Sequence, residues 1–275
     1  MNPNAPASLL PWAPARLLWR HRHLLAQLTW REIAQRYRGS VLGLAWSLVT
    51  PLLMLAIYTF VFSVVFQARW GAAPQSRTLF AIVLFAGLSV HGLFADVVNR
   101  APTLITSQPN YVKRVVFPLE LLPAVATGAA LFHFGANVVV LLAAQAWLGD
   151  GLHAGSLLLP VLMMPFVLLL LGLAWFVAAL GVFLRDIATV IGLLTTVLMF
   201  LSPVFYAADA IPQALRPWLM VNPLTFVIEQ ARSLLVWGGG LDWAGWLGYT
   251  AAAALVAWLG YAWFQLTRRG FADVL

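Results

Sequence analysis

The sequence predicts an all-α integral membrane protein with six transmembrane helices, an N-terminal amphipathic helix and a re-entrant helical hairpin before the last span. Two observations carry this. Of 275 residues, 62% are hydrophobic and only 9% charged, against about 25% charged in an ordinary soluble domain. A water-soluble fold of this length cannot hide that much apolar surface. The few charges also leave six uninterrupted charge-free runs, 39–68, 78–95, 121–149, 151–184, 187–208 and 243–267. A helix crosses a bilayer in about 20 residues, so six runs give six spans. They are apolar on every face rather than alternating, which argues against a barrel.

Residues 1–15 hold Pro3, Pro6, Pro11 and Pro14 and read as a flexible tail. They do not read as a signal peptide, because the apolar stretch is short and the basic residues follow it. Residues 16–38 read as an amphipathic helix in which Leu17, Leu18, Leu24, Leu25, Leu28, Trp30, Ile33 and Tyr37 interleave with arginines. Such a helix lies at the membrane interface with its arginine stems reaching toward water. The spans follow at about 41–66, 79–98, 121–147, 157–183, 187–206 and 243–266, with a loop over 99–119 long enough for a short helix. Between the last two spans, residues 210–237 form two apolar halves, each too short to cross, divided by Asn222-Pro223. A re-entrant hairpin fits this pattern; a pair of amphipathic helices on the outer surface fits it too. With the N-terminus inside, twelve of the sixteen Lys and Arg fall on cytoplasmic segments. The positive-inside bias therefore places both termini in the cytoplasm.

The net charge of +7 invites a nucleic-acid reading, but basic residues directly before a span serve topology and lipid headgroups. Cysteine is absent, so no disulfide framework or thiol catalysis is available. The five histidines form no HExxH pattern, and the nine acids are scattered with no pair in mid-membrane. His133 and Asn137 sit one turn apart in the third span and read as an interhelical hydrogen-bonding pair or a polar patch on a pathway. Asp96 and Arg100 are spaced to pair locally, and Glu229 and Arg232 to form an ion pair or a gate latch. The chain has one lysine, Lys113, in Gln108-Pro109-Asn110-Tyr111-Val112-Lys113-Arg114. A P-loop needs GxxxxGK[ST], so this chain carries no such ATP site. Any ATP that drives it is hydrolysed elsewhere.

Several stretches together resemble a known family: Tyr37-Arg38-Gly39-Ser40-Val41-Leu42-Gly43-Leu44-Ala45-Trp46 with Pro51; Leu104-Ile105; Val112 through Phe117-Pro118-Leu119-Glu120-Leu121-Leu122-Pro123; Arg185-Asp186-Ile187; Ser202-Pro203-Val204-Phe205-Tyr206; and Asn222-Pro223-Leu224-Thr225 with Glu229 and Arg232. In this order they resemble the ABC-2 permeases that export bacterial O-antigen, capsule and teichoic acid. The resemblance covers roughly 16–270. It implies a homodimer of six-span subunits in the bacterial inner membrane, docked on two separate ATP-binding subunits that hold the ATP and Mg; no cofactor is expected in this chain. It further implies that 16–38 is an interface helix, that 39–270 is the ABC-2 transmembrane domain, and that Leu104, Ile105, Tyr111, Val112, Lys113 and Arg114 belong to the element coupled to the ATPase. The re-entrant hairpin, with Asn222, Pro223, Glu229 and Arg232, would form an external gate. The cargo would be a glycan on a polyprenyl diphosphate.

A glycan conduit calls for aromatic rings with polar tips, on which sugar faces stack weakly. The first span offers Trp46, Tyr58, Phe62 and Phe66, and the fifth Phe200, Phe205 and Tyr206; an interfacial aromatic belt would use the same residues. Arg36 and Arg38, with Lys113 and Arg114, have the chemistry to meet a diphosphate or a headgroup. Gly39 and Gly43 form GxxxG, a spacing that permits close helix packing at a dimer seam. The rival classes are an ABC-2 exporter of drugs or small molecules, a membrane-embedded enzyme acting on polyprenyl lipids, and a channel or scaffold that uses no ATP.

Overall fold

The computed structural model describes residues 8–65, 77–113, 117–149 and 151–274. The 66–76 connection, with Phe66 and Arg69, lies outside them, as does Arg114. Every regular element among the described residues is helical. In chain order they are α1 (Ala13–Arg20), α2 (Arg22–Arg36), α3 (Trp46–Tyr58), α4 (Arg77–Arg100), α5 (Pro109–Lys113), α6 (Leu121–Leu148), α7 (Leu159–Phe183), α8 (Ile187–Leu201), α9 (Arg216–Val221), α10 (Pro223–Leu235), α11 (Trp243–Thr267) and α12 (Phe271–Val274).

Among the described residues, five helical stretches are long and apolar enough to cross a membrane: Gly43–Phe62, Leu79–Thr103, Leu121–Leu148, Ala154–Phe183 and Trp243–Val274. The sixth expected span, 187–206, is helical only over the 15 residues Ile187–Leu201. The reason is local. Proline disfavours the helical conformation in the residue before it, and Ser202, ahead of Pro203, is extended with ψ 154°. At about 1.5 Å per residue, α8 covers about 22 Å.

The helix α4 is the central element, and its residues from Leu79 to Phe85 are almost fully buried. It packs against α3, α6, α7, α8 and α10. The helices α7 and α11 approach backbone to backbone. A Cβ on Gly172 would lie 2.6 Å from the Ala257 Cα, and one on Gly260 would overlap the Gly172 carbonyl. Small residues allow this approach, which gains dense van der Waals contact. By contrast, α3 and α8 leave Leu48, Leu52, Leu53, Ile57, Val190, Leu193 and Leu194 exposed on the protomer surface.

The described residues form two apolar cores. The larger runs through α4, α6, α7 and α10. The smaller, at the end of the bundle that carries both termini, gathers Ala13, Ile105, Leu119, Trp175, Tyr261, Phe264 and Phe271. The first turn of order comes earlier than the sequence predicts: α1 begins at Ala13, inside the expected tail, and the helix expected over 16–38 is divided at His21 into α1 and α2. Gly39 and Gly43 do not share a helix face. Both have positive φ, 84° and 51°, conformations glycine adopts without steric cost, and they turn the chain between α2 and α3. A Cβ would meet nothing within 4 Å at either position, so within the protomer this GxxxG is a turn rather than a packing seam.

Candidate functional site

The polar chemistry of the chain is concentrated at the two ends of the bundle. At the end away from the termini, Asn222-Pro223 divides α9 from α10. Asn222 is extended (ψ 121°) and its side chain accepts from the Leu224 N–H at 2.9 Å, an N-cap that starts α10. Its Nδ2 donates to Ser202 Oγ at 2.9 Å, tying the break to the end of α8. Thr225 Oγ1 donates to the Leu219 carbonyl at 2.7 Å, which fixes α9 against the start of α10. Leu224, Val227, Ile228, Ala231, Leu234 and Leu235 of α10 are buried in the larger core, whereas Trp218, Met220 and Val221 of α9 are exposed.

Arg232 is the centre of this end, at 1% exposure. It pairs with Glu229 at 2.9 Å, as the i,i+3 spacing predicts. It also donates from Nε to the Val83 carbonyl at 3.1 Å, from Nη2 to the Val204 carbonyl at 2.8 Å, and from Nη1 to the Pro203 carbonyl. One guanidinium thus joins α10 to α4 and to the 202–204 turn after α8. Gly87 makes the room: a Cβ there would lie 2.6 Å from Arg232 Nη2.

The expected conduit aromatics divide into separate groups. Phe200 and Phe205 stack at 5.6 Å, and Tyr206 Oη donates to the Phe200 carbonyl at 3.2 Å. Phe62 packs on Phe80 at 5.5 Å, and both it and Tyr58 lie against the larger core. Trp46 stands exposed at the opposite end of α3.

At the termini end, α2 runs beside α4 and α6. Arg31 Nη2 donates to Tyr111 Oη at 3.1 Å, and Tyr111 stacks on Phe117 at 4.5 Å. Ile105 is fully buried in the smaller core, against which Tyr111 and Val112 also pack; Leu104 packs on the larger one. Lys113 closes α5. The expected local pairing of Asp96 with Arg100 gives way to pairing across helices. Arg36 meets Asp96 at 3.3 Å, and Arg100 pairs with Glu32. The reason is that α2 presents a partner to each across the groove. These four residues, with Gln35 and His133, line a cavity of about 410 Å³. The structure thus brings Glu32, Asp96 and His133 to one place, although the sequence shows them scattered, and it sets an arginine against each acid. Arg38 is exposed nearby. His133 Nδ1 lies 3.1 Å from Tyr37 Oη at the end of α2, a bond between helices of the kind that is one of its two readings from the sequence. Burial lifts the Tyr37 phenol above its ordinary range, Arg36 opposes this and Asp96 reinforces it, so the phenol stays protonated.

Sequence reasoning missed Glu120. It is 2% exposed; Gln265 Nε2 donates to it at 2.7 Å and Arg268 pairs with it. Trp175 Nε1 donates to its carbonyl at 2.9 Å. The residue directly before α6 is thereby locked to α7 and to the end of α11. Among the described residues, no group of three or more His, Asp or Glu takes a metal-binding arrangement.

The arrangement is that of a helical membrane domain with a broken helix pair at one end, and at the other a short helix after α4 that packs on α12 and takes one hydrogen bond from α2. The ABC-2 type transporter family model matches residues 23–236, and the chain belongs to that family. It is similar over nearly its whole length to proteins named O-antigen export system permease protein RfbA. The Myxococcus xanthus protein is 26% identical over 260 residues, covering 94% of this chain and 97% of that protein. Two Klebsiella pneumoniae proteins are 25% and 24% identical, each covering 92% of this chain and 95% of its own length.

Proposed function

We infer that the chain is the transmembrane subunit of an exporter that carries a polyprenyl-diphosphate-linked, O-antigen-like polysaccharide across the bacterial inner membrane. Two copies, each with six spans and both termini in the cytoplasm, would enclose the conduit. ATP would be hydrolysed on two separate subunits. The observation that carries this reading is the end-to-end similarity to three permeases whose names state O-antigen export.

Under this reading each part takes a role. The segment 99–119, with α5 at its centre, would receive the stroke of the ATPase, and α2 would serve as the interface helix beside it through the Arg31–Tyr111 contact. The α9–α10 pair would be the re-entrant gate, with α10 fixed by Arg232 and α9 forming the lip. Aromatics at both ends of the bundle suit weak stacking on sugar rings. Arg36 and Arg38 would meet the diphosphate, and Arg36 must then leave Asp96 to do so.

The test replaces Tyr111–Arg114 with a neutral linker and measures membrane insertion, stimulation of the partner ATPase and glycan at the cell surface. Insertion is expected to persist while stimulation and surface glycan are lost; normal export in the variant would overturn the assignment. Purification of the chain from its own cells without an ATP-binding subunit would overturn it as well.

A further inference from the structure

The N-terminal segment ahead of α2 is held in an unexpected place. The Leu9 carbonyl accepts a hydrogen bond from Trp258 Nε1 at 2.8 Å. Trp258 stands nine residues before Thr267, where α11 ends, or about 13 Å along the helix axis. One leaflet's share of the hydrocarbon is about 15 Å. With α11 as a span, a segment tied to Trp258 would lie at the depth of the acyl chains, well above Arg268 and Arg269.

From there the chain descends. Ala13 and Pro14 are buried at the end of the bundle, Ala13 in the smaller core with Phe264 and Phe271. Its outward side changes character on the way down. Leu9, Leu10 and Trp12 are exposed at the upper end, and Arg16, Trp19, Arg20 and Arg22 at the lower. The Arg22 guanidinium lies over the Trp19 ring at 5.1 Å, an amphipathic pair suited to the headgroup level. No acid occurs before Glu32.

We propose that residues 8–22 are a leaflet anchor, in which Leu9, Leu10 and Trp12 lie among acyl chains against α11 while Arg16, Arg20 and Arg22 engage anionic lipid headgroups. The order of residue types from apolar to aromatic to cationic follows the order of layers from hydrocarbon to interface to headgroup. Lipid is the occupant that satisfies both ends of the segment at once. The anchor sets the height at which α1 hands the chain to α2, and so the height of the Arg31 and Glu32 contacts. It rests on the chain being a membrane protein with α11 as a span, and not on the identity of any cargo.

The absence of cysteine allows a direct test on the full chain reconstituted in vesicles of phosphatidylethanolamine and phosphatidylglycerol. Single variants Leu10→Cys, Ala15→Cys and Ala26→Cys would carry a spin label, with collisional access measured to oxygen, which concentrates in hydrocarbon, and to a water-soluble nickel chelate. The ratio of oxygen to nickel access should be severalfold higher at 10 than at 26, with 15 between them. Adding Trp258→Phe should raise the mobility of the label at 10. Exchange of phosphatidylglycerol for phosphatidylcholine should loosen the label at 15, and Arg16→Gln/Arg20→Gln/Arg22→Gln should abolish that dependence on lipid. Water-like access at 10 would overturn the proposal. So would shielding from both reagents, which would mean that protein covers the segment. Equal mobility at 15 in the two lipid mixtures would overturn the headgroup contact.

Discussion

Replacing Arg232 by methionine should be among the most damaging single changes outside the apolar core. Methionine fills much of the same volume but returns none of the arginine's hydrogen bonds. Three of them go to the main-chain carbonyls of Val83, Pro203 and Val204, which lie on two other parts of the fold. A hydrogen bond to a charged group contributes about 1.5–3 kcal/mol, and a buried carbonyl left without its donor costs about 1–3 kcal/mol, so stranding three should cost at least about 3–5 kcal/mol. Glu229 should account for little of this. It is 39% exposed, and a screened pair of that kind contributes at most about 1 kcal/mol. With about 2–4 °C lost per kcal/mol in a domain of 150–250 residues, Arg232→Met should lower the unfolding midpoint by about 6–20 °C. Glu229→Ala should lower it by only about 2–4 °C. Arg232→Lys should fall between, because a point ammonium cannot face three carbonyls held by a planar fork. The assay is thermal unfolding in one detergent at one scan rate, since membrane proteins seldom unfold reversibly, followed by export at a temperature where each variant stays folded. If Arg232→Met unfolds within about 3 °C of the parent, or Glu229→Ala is as damaging, the guanidinium is not the clamp described here.

Three other substitutions separate close alternatives. Gly260→Val should prevent accumulation of folded protein in the membrane, because its side chain would be driven into the Gly172 carbonyl. Gly43→Ala should cost only about 1–2 kcal/mol of backbone strain and leave the oligomeric state on size exclusion unchanged, whereas a GxxxG seam would show altered assembly. Glu120→Ala should cost about 3–5 kcal/mol in the same thermal assay, by stranding Arg268 and Gln265 at the end of α11; an unchanged midpoint would remove that lock. In a spectrophotometric titration compared with Tyr37→Phe, the Tyr37 phenol should ionise above pH 10, the direction its burial dictates. Its raised pKa means that any stability it contributes is complete below pH 10 and is lost as pH climbs through the folded value. Ionisation below pH 10 would show that the phenol is open to water.

What the sequence made legible follows from how each signal is encoded. Charge-free length marks the spans, and five of the six appear as helices long enough to cross. The shortened α8 carried its own signal, since Ser202 precedes a proline. The break at Asn222-Pro223 and the Glu229–Arg232 spacing are local patterns, and both stand in the structure. The three carbonyls on Arg232 could not be foreseen, because a backbone acceptor has no side-chain signature. Glu120 meets its partners across 145 and 148 residues, a distance no periodicity spans. The Asp96–Arg100 expectation failed for a related reason. Intrahelical spacing permits the pair, but α2 supplies competing partners whose proximity depends on the turn at Gly39 and Gly43.

These locks divide the protomer mechanically. Gly172 and Gly260 bring the α7 and α11 backbones into contact, so neither slides without the other. Glu120 joins that pair to the start of α6, and Phe271 packs on Phe264 and Phe183 at the same end. At the other end Arg232 ties α10 to α4. Tyr111 and Val112 of α5 pack on the same small core as Trp175, Tyr261 and Phe264, so a displacement of α5, if the ATPase acts there as proposed, would press on α7 and α11. Among the apolar helices of the bundle, the least buried against this frame are α3 and α8, whose apolar faces lie open on the protomer. Packed interiors move as units, and loosely packed elements move against them. Any change in the width of a pathway should then come from α3 and α8 shifting against the α4–α7–α11 frame rather than from that frame deforming.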